Sequence, residues 1–100
     1  MKTIDVIMVR IYMMESENLL NTTINYLQNE AKIRGISVFR AISGFGETGT
    51  HRTSLIDLSL NLPLVIEFFD NEDKTKLVLE HLATTIKHKH IVFWEAKINE

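Results

Sequence analysis

The sequence contains no cysteine, one proline, and four glycines, three of which fall between residues 44 and 49. Without cysteine, disulfides, thiolate nucleophiles and thiolate-held metals are all excluded. No long apolar run is present: the stretch Val6 to Val9 is far too short to span a bilayer, so direct membrane insertion is not expected. Asp5 stands where a signal peptide would run apolar, and a cytoplasmic location is the resulting expectation. Basic residues are also scarce. Eleven Lys and Arg against thirteen Asp and Glu leave a formal charge of −2, with no basic stripe of the kind that follows a phosphate backbone. A nucleic-acid partner is therefore not expected.

What is present is an ordinary globular balance, 45% hydrophobic and 24% charged, which argues against disorder. The hundred residues form a single domain, 1–100. A chain of this size buries only about two-thirds of its unfolded surface, so its core must be efficient or be extended by contacts with other copies.

Ile4 to Met13 is short and β-branched, with Asp5 and Arg10 as its polar members, and reads as a largely buried strand. Ser16 is the expected cap of a first helix, with Glu17 at its positive end. Leu20, Ile24, Leu27 and Ala31 recur at helical spacing, and Gly35 after Lys32-Ile33-Arg34 is the expected stop. Ile36 to Ser43 reads as a second strand. Its alternation would place Arg40 beside Ile36, Val38 and Ile42, which predicts a bulge near Arg40. Gly44 to Thr50 is a glycine-rich loop, expected to be exposed and mobile, and Ile56 to Leu62 alternates as an extended arm leaving it.

Pro63 ends that arm, and Leu64 to Phe69 is a third strand broken only by Glu67. Asp70 or Asn71 caps a second helix whose inner stripe is Val78, Leu82 and Ile86, with Lys87-His88-Lys89 at its negative end. Ile91 to Ile98 closes the chain as a fourth strand carrying Trp94.

The order β-α-β-β-α-β defines an α+β fold of ferredoxin-like type. Right-handed crossovers give a four-stranded antiparallel sheet of order 4-1-3-2 with both helices on one face. The other face is left open. If Ile7, Val9 and Ile11 face the helices, then Val6, Met8, Arg10 and Tyr12 face away, and an apolar sheet face of this kind calls for a partner, most simply another copy.

Arg10, Arg40 and Glu67 interrupt three neighbouring strands, as a charged site at a subunit interface or as a cross-strand ion-pair ladder that fixes register. His88 and His90 lack a clear third ligand for a metal. His51 and Arg52 follow the glycine-rich loop, where backbone amides and a guanidinium can converge on an anion, although no P-loop or dinucleotide fingerprint is present and a plain hairpin tip fits as well. Ser54 and Ser59 have no assigned base, so no catalytic residue is predicted.

Arg10-Ile11-Tyr12, the block Gly35 to Gly46, His51, Leu55 to Ser59, and Leu62 to Glu67 resemble the family called domain of unknown function 190. That family is related in fold to the PII signalling proteins, which share Gly-Phe-Gly at the base of a mobile loop. The resemblance implies a non-enzymatic homotrimer whose sheets line its centre. It further implies an adenine nucleotide (ATP, ADP or AMP) held between subunits near Gly44, Phe45 and Gly46, with His51 and Arg52 further along. Residues 44–62 would engage a protein target such as a membrane transporter or an enzyme. The sequence departs from PII in having no tyrosine between Gly46 and Pro63, Glu47-Thr48 in place of Arg-Gln, and no glycine from Asp70 to Lys76. A metal-sensing trimer of the divalent-cation-tolerance type, using His residues, is the alternative.

Overall fold

In the computed structural model, residues 1–43 and 62–100 are described. The strand β1 runs Thr3–Met14, β2 Ser37–Arg40, β3 Pro63–Asp70 and β4 Ile91–Asn99. All pair antiparallel in the order β2-β3-β1-β4, the predicted arrangement. Helix α1 begins at Leu20 and helix α2 spans Glu72–Leu82. Alternation along β1 and β3 sends Val9, Ile11, Met13, Leu64, Ile66 and Phe68 to one side, where they bury against Leu27, Val78, Leu82 and Ile86.

The first helix departs from its predicted form at both ends. Glu15–Glu17 is a separate 3₁₀ turn in which the Glu17 carboxylate accepts the Met14 N–H at 2.8 Å, so Ser16 does not cap the helix. α1 covers Leu20–Asn25 and then widens into a π-helical turn, Tyr26–Glu30, with the Ala31 N–H on the Tyr26 carbonyl. Its buried face is centred on Thr23 and Leu27, whereas Ile24 lies in a surface groove with Asn21 and Gln28. The stop is made by Lys32 in the left-handed region (φ 58°), not by Gly35. The Ile33 N–H reaches back to the Leu27 carbonyl at 2.9 Å while the Ile33 side chain enters the core, so burial holds a conformation that glycine would adopt more cheaply.

α2 is capped as predicted: the Asn71 side chain accepts the Lys74 N–H at 2.8 Å. Asn71→Ala should therefore cost about 1 kcal/mol, read as a lower denaturation midpoint with an unchanged slope. The helix ends at Leu82, earlier than expected. The Thr84 and Thr85 hydroxyls donate to the His81 and Leu82 carbonyls at 2.7 and 3.4 Å, a back-bonding that competes with further helix. Lys87, His88 and Lys89 thus occupy the turn before β4 and not the last turn of α2. The two helices meet where the Tyr26 and His81 rings stack at 3.8 Å.

Candidate functional site

The open side of the sheet is assembled by register. Arg10 lies opposite Glu67 on β3 and Val92 on β4, and Met8 lies opposite Phe69 and Trp94. These side chains share the face that no helix covers. At its centre Arg10 donates through Nε and Nη2 to one Glu67 oxygen, at 2.9 and 2.7 Å, and its guanidinium stands 5.3 Å from the centre of the Trp94 ring. Tyr12 first, then Glu67, push the guanidinium above its ordinary value, so Arg10 remains charged. A second cation, Arg34, lies 5.6 Å from the Phe69 ring.

Two clefts open here. One, of about 420 Å³, is lined by Arg10, Tyr12, Phe39, Val65 and Glu67. The other, of about 510 Å³, runs from Met8 and Phe69 to Arg34 and Gly35. Around them Phe39 is 54% exposed and Trp94 39% exposed, a large aromatic surface for a chain of this length.

The predicted ladder holds for Arg10 and Glu67 and fails for Arg40. β2 pairs regularly through Arg40 without a bulge, and Arg40 lies opposite Leu64, on the helix-facing side. It pairs with Glu15 at 2.8 Å, while Ser37 takes the place opposite Glu67. Regular alternation prevailed because the Glu15 carboxylate at the end of β1 provides a partner there.

Val6 is a second departure, being only 5% exposed in the single chain. The register sets the Val6–Ala96 pair between the larger Ile4–Ile98 and Met8–Trp94 pairs. Alternation carried across the register from Met8, Arg10 and Tyr12 places Phe39, Phe69, Val92 and Trp94 on this face as well, a placement that strand patterning alone does not give.

The chain leaves the sheet beside its point of return, with the Ala41 N–H on the Pro63 carbonyl at 2.9 Å. Leu62 is buried, and its carbonyl accepts the Glu15 N–H at 3.2 Å. Gly44, Phe45, Gly46, His51 and Arg52, together with the predicted loop and most of its arm, lie outside the described residues. Among the described residues no group of three His, Asp or Glu side chains is placed to hold a metal, and no helix is long and apolar enough to cross a membrane.

This sheet with two helices on one face is the PII-like, ferredoxin-like fold. It superimposes on CPII from Thiomonas intermedia K12 bound to ADP, AMP and acetate with a TM-score of 0.74, covering 100% of this chain and 94% of that one at 13% identity. The same protein, described as a nitrogen regulatory PII-like protein and bound to ADP, AMP and bicarbonate, matches at 0.74 with 12% identity, covering 99% of this chain and 92% of that one. At such identities the likeness establishes the fold alone.

The family is set by sequence. The model described as DUF190, Uncharacterized ACR, matches residues 6–98, and the chain belongs to that family. A UPF0166 protein of Aquifex aeolicus (strain VF5) is 40% identical over 88 residues, covering 83% of this chain and 80% of its own. A second UPF0166 protein of the same organism is 36% identical over 95 residues, covering 94% and 97%.

Proposed function

We propose that this protein is a PII-like regulatory protein and not an enzyme, acting in the cytoplasm as a homotrimer whose open sheet faces meet at its centre. The observation that carries this reading is the open face itself: exposed Phe39, Tyr12 and Trp94 around a paired Arg10 and Glu67. A surface of that composition is stabilised by association, because aromatic area leaves water while the central charges are already matched. Met8 and Tyr12 supply the contact from β1. Val6 contributes little, and Arg40 belongs to the opposite side of the sheet.

An adenine nucleotide, ATP, ADP or AMP, binds between subunits near Gly44, Phe45 and Gly46, with His51 and Arg52 serving its phosphates. Residues 44–62 then engage a protein target, such as a membrane transporter or an enzyme. Support comes from the family resemblance of the Gly35 to Gly46 block and from the fold likeness to CPII, which is bound to ADP and AMP. A divalent-metal-sensing trimer remains the competing reading, and no observation among the described residues favours it.

Calorimetric titration of ATP, ADP and AMP into wild type and Arg52→Ala tests the nucleotide reading. Wild type should bind at least one of them. Arg52→Ala should weaken that binding about tenfold, the loss of a charge-assisted phosphate contact, with its thermal unfolding unchanged. Silence from all three nucleotides, or equal binding by the variant, would remove it.

A further inference from the structure

On the helix side of the sheet, α2 packs on β1 and β3, and Ile91 of β4 reaches the core while Phe93 is left uncovered. Phe93 is 57% exposed, although Val9, its cross-strand neighbour, is fully buried. Between α2 and β4 lies a groove of about 530 Å³ whose apolar wall is Ile7, Leu79 and Phe93. Thr75 lines the same groove. It is only 1% exposed, yet its Oγ1 has no hydrogen-bond partner. A helical threonine can return its hydroxyl to the preceding turn. Here the Asn71 carbonyl receives the Thr75 backbone N–H at 3.0 Å and the hydroxyl is left over. An unpartnered buried hydroxyl is unfavourable, and a ligand able to bond it recovers that loss.

The charges around the groove have one dominant sign. Glu72, Glu80 and Glu95 line it against a single cation, Lys76. Neither Glu72 nor Glu80 forms an ion pair among the described residues, and Lys97, close to Glu95, is engaged by Asp5. Apolar wall, aromatic ring, orphaned hydroxyl and excess carboxylate define one chemical class. We propose that the α2–β4 groove binds a small organic cation, an amine carrying an apolar or aromatic body. The ammonium donates to the rim carboxylates and to Thr75 Oγ1, and the body packs against Leu79, Ile7 and the Phe93 ring. The same charges disfavour anions, and the proposal does not rest on the nucleotide reading.

The test is calorimetry on the full chain at neutral pH with three probes of one shape: 2-phenylethylamine, 2-phenylethanol and 3-phenylpropionate. The amine should bind with Kd near ~1 mM or tighter, the alcohol several-fold more weakly, and the acid not measurably. Glu80→Gln and Glu95→Gln should each weaken the amine by roughly threefold, as expected for solvated charge pairs. Thr75→Val, which keeps the shape and removes the hydroxyl, should weaken it as well, with thermal unfolding recorded to show that the variant is folded. Equal affinity for amine and alcohol would overturn the proposal, as would an absence of amine binding at ~10 mM or an amine affinity unmoved in the Glu80→Gln/Glu95→Gln double variant.

Discussion

Phe68→Ala should lose about 3–5 kcal/mol of stability, the largest effect expected from a single truncation among the described residues. Phe68 is 2% exposed and is the bulkiest fully buried side chain among the described residues. It sits on β3, one of the two inner strands, and faces a core built from both layers: Val9 and Ile11 of β1, Leu27 of the π-helical turn after α1, Val78 and Leu82 of α2. Removing the ring forfeits its transfer free energy and leaves a cavity that neighbours fixed by the sheet cannot collapse to fill. Urea unfolding of both proteins at one chain concentration measures the difference, since association would otherwise shift the midpoint by mass action. A loss below about 1 kcal/mol would mean that the two layers do not share the core described here.

Met8→Asp should convert the proposed trimer into monomers. Met8 lies between Phe69 and Trp94 in the register, at the apolar part of the open face, and lines the larger of its two clefts. In an isolated subunit a carboxylate at this position remains solvated, so the fold should survive, as circular dichroism would show. In the assembly it would be buried without a partner at each copy of the contact, because Arg10 is already bonded to Glu67. An unpaired buried charge costs several kcal/mol, which opposes association through this face. Light scattering gives the mass directly, and an unchanged mass would mean that the subunits associate through another surface.

Much of the fold was legible because it follows from periodicity. Two strand–helix–strand units and one chirality rule were enough to order the sheet, and the Val78, Leu82 and Ile86 stripe marked the inner side of the second half. What escaped reading depended on tertiary partners. Lys32, not Gly35, takes the left-handed conformation, since burial of Ile33 just beyond it is a property of the folded chain. The end of α2 was set by two threonine hydroxyls, a weaker signal in sequence than the basic run that follows. Arg40 breaks the apolar alternation of its strand, and its partner Glu15 is brought beside it only by the fold. Of the candidate site, Arg10 and Glu67 were readable as opposite charges on adjacent strands, whereas the aromatic surroundings required the register. Thr75 gave no sequence signal, because an unpartnered hydroxyl exists only once the groove has formed.

All of the proposed intersubunit chemistry rests on association, so the most direct measurement is the mass of the wild-type protein in solution at micromolar concentration. Size-exclusion chromatography with light scattering should give about 35 kDa, three copies of the 11.6 kDa chain. A stable species at 11.6 kDa would contradict the account, leaving the open face without the copies proposed to cover it.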